Sequence, residues 1–219
     1  MVTVKDHKRP DANGDYPTQF VIPASNFVSP FANLGYRGIK AIFDSNKVSY
    51  QSKMILNAYD LKCKLEKLKV SVRRHMVVSL DIKDFYPSVR FSLIAKAVWF
   101  FGRGLSIEDR SRLNVCLKLI QFGMSHTLLM FKNAYYEHRG HGVPSDRGLT
   151  IGGLESAWLA DLAGAYVLQS VPRHFRGTIY HGLYRDGSSH FSPYMENHRK
   201  NIKYDGGLES TLLTISFHY

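Results

Sequence analysis

A chain of 219 residues, 44% hydrophobic and 13% aromatic, has the length of one domain and enough apolar surface for a sizeable core, which excludes a disordered chain. Lys and Arg number 29 against 18 Asp and Glu, and the net charge of +11 points to polyanionic partners, nucleic acid first, with a ribosomal or membrane-surface role also compatible with charge alone. No apolar run reaches membrane-spanning length, no hydrophobic signal segment opens the chain, and Cys63 and Cys116 fit no motif spacing. The expectation is an intracellular protein, nuclear or cytoplasmic and not secreted, with reduced, buried thiols and no membrane partner.

In chain order, residues 1–9 alternate like an edge strand and carry Lys5, Lys8 and Arg9 into a turn built by Pro10, Asn13 and Gly14; residues 19–22 return. A basic hairpin of this kind folds over a triphosphate, or is an edge strand protected by its lysines; the residues leave both open. Residues 26–38, rich in Pro, Gly and aromatics, are predicted as an ordered loop. Between 51 and 69, Ile55, Tyr59, Leu61, Leu65 and Leu68 recur at helical spacing, with Lys62, Lys64, Lys67 and Lys69 on a solvated face.

Residues 77–90 read VVSLDIKDFYPSVR, a short β-branched run with Asp81 inside it. A buried ionised carboxylate is costly unless paired, hydrogen-bonded or bound to a cation, so Asp81 calls for a partner, either ordinary donors such as backbone or Lys83, or a metal. Asp84 is the poorer candidate. Residues 91–101 place Leu93, Ile94, Ala97, Val98 and Phe101 on one helical stripe, stopped by Gly102 and Gly104. A further helix starts at a Ser106 cap, with Glu108 and Asp109 in its first turn and Leu113, Cys116, Leu117 and Ile120 inward.

Residues 128–137 read as a strand, and His138 and His141 lack the Cys or acidic cluster a zinc site needs. Gly152 and Gly153 open a small-residue helix over 154–168, with Glu155 satisfying its first turn; the glycines either let a backbone approach a base or sugar, or only serve packing. Residues 178–184 form a strand leading to an Arg185-Asp186-Gly187 turn. Carboxylates at two strand ends suit two-metal phosphoryl transfer, although an Asp-Gly turn alone is common. Strands at 1–6, 19–22, 77–82, 128–136 and 178–184 with helices between them predict an α+β domain, helices covering one face of a mainly antiparallel sheet.

Four segments carry a resemblance. LDIKDFYPS (80–88) and GLYRDG (182–187) resemble motifs A and C of reverse transcriptases, in wording closest to Penelope-like retroelements. RGLTIGGLESAWLADLAGAYVL (147–168) is similar to motif B, and KDHKRP (5–10) with YPTQFVIPASNF (16–27) to the fingers motifs. The resemblance covers residues 1–187; residues 188–219 match nothing and read as a truncated or frameshifted tail.

It implies a polymerase palm plus fingers without a thumb, performing RNA-directed DNA synthesis. Asp81, Asp186 and the Ile82 carbonyl would hold two Mg²⁺ or Mn²⁺ ions. Lys5, Lys8, Arg9, Gln19, Tyr86, Gly152 and Gly153 would bind the deoxynucleoside triphosphate, Tyr86 excluding a 2′ hydroxyl. Arg37, Lys40 and Arg147 would contact the primer and its RNA or DNA template. Two departures point to an impaired copy: Gln19 stands where the family has Arg, and Gly187 where it has a second Asp. The segment after Gly187 also shows no apolar strand. The alternative is a non-catalytic nucleic-acid-binding or structural protein derived from such an enzyme; the oligomeric state is not legible.

Overall fold

The computed structural model describes residues 2–4, 12–14, 18–20, 29–50, 54–55, 57–67, 75–81, 85–131, 134–137, 143, 146–169, 180–184 and 187–193. Two short strands, β1 (Val2–Val4) and β2 (Thr18–Phe20), pair antiparallel with Thr3 opposite Gln19. Helix α1 (Ser29–Ser45) follows, then α2 (Ala58–Lys67), whose first turn is held by Asn57 Oδ1 accepting from the Asp60 amide at 2.9 Å. Strand β3 (His75–Asp81) leads into the short α3 (Phe85–Ser88) and α4 (Phe91–Phe101), which a 3-10 turn, Gly102–Gly104, terminates. Helix α5 (Ile107–Ser125) begins where Ser106 Oγ accepts from the Asp109 amide at 3.1 Å, the cap read from the sequence.

Beyond α5 come the hairpin β4 (Leu128–Phe131) and β5 (Ala134–Glu137), then α6 (Ser156–Val167), β6 (Tyr180–Tyr184) and β7 (Gly187–Pro193).

The core is built helix on helix. Ile39 and Phe43 of α1, Ile94, Ala97 and Val98 of α4, Leu113, Leu117 and Ile120 of α5, and Leu159, Leu162 and Ala163 of α6 form one buried cluster. Aromatic rings bind its edges: Trp158 of α6 packs at ring-centroid distances of 6.0 Å from Tyr36 and 5.8 Å from Tyr50, and its Nε1–H donates to the Tyr50 hydroxyl at 2.9 Å.

Helices α1 and α5 approach most closely, and small residues permit it. A Cβ at Gly35 would stand 2.6 Å from the Cys116 carbonyl oxygen and 2.8 Å from the Ile120 side chain; at Gly38, 2.5 Å from Cys116 Sγ; at Gly123, 2.7 Å from Ala32 Cβ. Contacts pairing 32 with 123, 35 with 120 and 38 with 116 make the helices antiparallel. This corrects the loop expected over 26–38: from Ser29 onward the stretch is helical. Each glycine costs a helix up to about 1 kcal/mol in chain entropy, and here the cost is offset by close packing. Cys63 and Cys116 are free thiols and only half-buried, not fully buried as expected; burial pushes the Cys116 thiol above its ordinary range.

The expected α+β palm, an antiparallel sheet with helices over one face, is not what the structure shows. Of the residues described to their side chains, 69% are helical and 6% extended. The strands form separate ladders, β1 with β2, β4 with β5, and β3–β7–β6 with β7 central; extensive contacts run helix to helix and strand to strand, with no helical layer laid on strands among the described residues. The sequence reading gave short β-branched runs the weight of a sheet, whereas the long helical stripes satisfy one another. A second correction concerns residues after Gly187. Gly187–Pro193 pairs on both sides, with β6 and with β3, although GSSHFSP lacks the apolar alternation that marks a strand.

Gly35→Ala is expected to lower stability in urea unfolding by about 1–3 kcal/mol, because the added methyl meets backbone that must move. Gly104→Ala, where a Cβ meets nothing within 4 Å, is the matched control and stays within about 0.5 kcal/mol of the parent.

Candidate functional site

The segment before α6 is fastened to the turn between α3 and α4. The Leu149 amide donates to the carbonyls of Tyr86 at 3.0 Å and Val89 at 3.1 Å, the Phe91 amide donates to the Arg147 carbonyl at 3.1 Å, and Arg90 bridges to Gly148. Gly148 is there because nothing larger fits: its missing Cβ would overlap the Pro87 carbonyl.

Asp146 completes the junction. Arg90, at the N-cap of α4, offers no side-chain cap. Asp146 does so from 54 residues away, Oδ1 accepting from the Ser92 amide at 2.7 Å and Oδ2 from the Ser92 hydroxyl at 2.8 Å. A carboxylate at a helix N-terminus also suits the helix dipole. Nothing in the sequence distinguishes Asp146, because the contact is wholly tertiary.

The loop leading into α6 closes on itself. Gly152 is exposed with φ +100°, a conformation glycine accepts at no steric cost. At Gly153 a Cβ would stand 2.5 Å from Ser156 Oγ, 2.7 Å from Glu155 Oε1 and 3.1 Å from Thr150 Oγ1, so its bare side faces the loop's own oxygens. Glu155 is only 7% exposed and makes no side-chain cap; among the described residues its Oε2 and the Ser156 hydroxyl have no hydrogen-bond partner. The first-turn role expected of Glu155 is thus absent. Burial, with its backbone partly opposing, pushes the Glu155 carboxyl above the ordinary range, favouring its neutral form.

The remaining predicted residues divide by location. Tyr86 is half-buried in α3, its ring edge-on to Phe85 at 5.8 Å and its carbonyl held by Leu149. Arg147, expected at nucleic acid, has the largest fully buried side chain and is 1% exposed; it is a core residue of the junction. Arg37 and Lys40 lie exposed on α1, Lys40 donating to Asp44 Oδ2 at 2.8 Å, a hydrogen bond that raises its pKa. Gln19 lies in β2. Lys5, Lys8, Arg9, Ile82, Asp186, His138 and His141 lie outside the described residues.

Asp81 is the last residue of β3, and its partner across the ladder is Gly187. Gly187 pairs on its other side with Tyr184. β7, opening at Gly187, thus lies between β3, which ends at Asp81, and β6, which ends at Tyr184.

No family model and no curated protein matches the chain. Among solved structures, it is similar to telomerase from Candida tropicalis in complex with a TWJ fragment of telomeric RNA, at TM-score 0.52 and 9% identity, over 83% of this chain and 35% of that one. Telomerase from Candida albicans, also in complex with a TWJ fragment, aligns at TM-score 0.47 and 12% identity over 77% of this chain and 30% of that one, too loosely to carry argument. The chain thus spans about a third of the telomerase chains. At such identity the likeness is one of fold alone.

Glu155→Gln tests the buried carboxyl. A carboxyl whose folded pKa is raised contributes fully below the ordinary carboxylate range and loses that contribution as pH rises through the raised value. Denaturation followed across pH is expected to show equal stabilities at the acid end and a growing advantage for Glu155→Gln as pH rises. A difference that stays constant with pH would show that charge at this position is not the cost.

Proposed function

We propose that this chain is a reverse-transcriptase-derived domain that binds primer and template, Penelope-like in its motif wording, with nucleotidyl transfer as its ancestral chemistry. The observation that carries the reading is the register that sets Asp81 of the motif A-like segment against Gly187 of the motif C-like one. The donors fit hard divalent cations: Asp81 and Asp186 offer carboxylate oxygens and Ile82 a carbonyl. Divalent cations held by these residues would supply neutralisation of charge on attacking and leaving oxygens. The chain's own part is placement. The Tyr86 carbonyl is tied to Leu149 and Phe85 is buried beneath it, which fixes the residue that the resemblance sets under the sugar of a deoxynucleoside triphosphate.

A non-catalytic, nucleic-acid-binding descendant is the second reading, favoured by Gly187 in place of a second Asp, by Gln19 in place of Arg, and by the bare side of Gly153 turning inward. Both readings keep the nucleic acid as partner, and the net charge of +11 supports it.

The experiment measures primer–template binding over a salt series and extension with Mg²⁺ and deoxynucleoside triphosphates. Binding whose affinity falls steeply as salt rises is expected, with weak extension that Asp81→Asn reduces about a hundred-fold or more while binding without metal is unchanged. Absence of binding at low salt would sink the proposal. Extension indifferent to Asp81→Asn would remove the metal assignment, and salt-sensitive binding without extension selects the second reading.

A further inference from the structure

Away from the junction, the outer face of the α1–α5 pair carries a ladder of rings that the core does not use. Phe31 of α1 meets Phe122 of α5 edge-on, centroids 5.0 Å apart, and Phe122 stacks on His126 at 4.5 Å and 30°. Phe31 is 40% exposed, Phe122 43%, and His126 is exposed at the end of its helix. The ring of His126 is held in orientation by its own helix, its Nδ1 lying 2.9 Å from the Phe122 carbonyl.

Among the described residues, the stretches of α1 and α5 that carry the ladder hold charge of one sign. Lys118, Phe122 and His126 recur every fourth residue along α5, steps of roughly 6 Å along one exposed stripe. Between residues 29 and 43, and again between 110 and 128, the sequence has no Asp or Glu. The acids at the far end are engaged: Asp44 with Lys40 at 2.8 Å, and Glu108 and Asp109 with Arg112 at 2.6 and 3.6 Å.

We infer that this face is a path for single-stranded nucleic acid, bases stacking on the Phe31–Phe122–His126 rings and the backbone phosphates meeting Lys118. Exposed rings beside a lysine that has no acid partner among the described residues match a flexible polyanion with stackable bases, because every base presents a π-face and every phosphate a charge. The inference rests on reading the chain as nucleic-acid-binding, and adds a contact surface separate from the Tyr86–Leu149 junction.

The test uses the full chain with two fluorescent probes, a single-stranded oligothymidylate and a blunt duplex. Phe122→Ala is expected to weaken oligothymidylate binding roughly ten-fold and leave duplex binding unchanged. Lys118→Gln is expected to reduce the slope of log affinity against log salt by about 0.7 for the single strand. A 4-thiothymidine oligonucleotide should photo-cross-link within residues 119–126. If Phe122→Ala lowers the Tm, His126→Ala carries the same comparison. Unchanged single-strand affinity in the variants, an equal loss for both probes at unchanged Tm, or cross-links elsewhere would overturn the path while leaving duplex binding intact as a separate result. Loss of self-association by Phe122→Ala with oligothymidylate binding unchanged would assign the face to a second copy of the chain. A chain that binds neither probe overturns the path together with the broader reading.

Discussion

The close approach of Gly148 to the Pro87 carbonyl is the constraint on which the rest of the site depends. With no Cβ at that point, the chain entering α6 lies flat on the turn between α3 and α4, and three backbone hydrogen bonds close over it. Once they form, Asp146 reaches the open N-terminus of α4, Leu149 is buried, and Arg147 is carried into the interior. Segments 60 residues apart become one rigid unit, and Tyr86, Gly152 and Glu155 take their positions from it.

A second close approach supports the first. Helices α1 and α5 meet through Gly35, Gly38 and Gly123, and their union supplies much of the buried surface against which α4 and α6 pack. In both places glycine acts through the space it leaves and not through chain flexibility. The pairing of motif-bearing strands is a third, separate element, made by backbone hydrogen bonding between β3, β7 and β6. The resulting molecule combines a helical body with a strand ladder at which Asp81 ends, a division that a sheet covered by helices would not have.

Much of this was legible in the chain. The stripe Ile94, Ala97, Val98 marks α4, and Ser106 followed by Glu108 and Asp109 marks the start of α5, because capping and helical spacing are local signals. The segments around Asp81 and Asp186 are legible as a pair only through their resemblance to a known family. What the sequence hid is tertiary. Gly35 and Gly38 look like loop residues until Cys116 and Ile120 are seen against them. Arg147 looks like a surface cation, and Glu155 like a helix cap, until their burial is known. The central strand Gly187–Pro193 is made by partners on both sides, and no pattern in GSSHFSP announces it.

The junction itself is tested most directly by Gly148→Ala, followed by amide hydrogen exchange and urea unfolding of the same protein. A methyl group that overlaps the Pro87 carbonyl must push the two segments apart. The account predicts that protection of the Leu149 and Phe91 amides collapses and that stability falls by about 3 kcal/mol, the upper part of the range for overpacked sites. Native protection at both amides with unchanged stability in Gly148→Ala would contradict it.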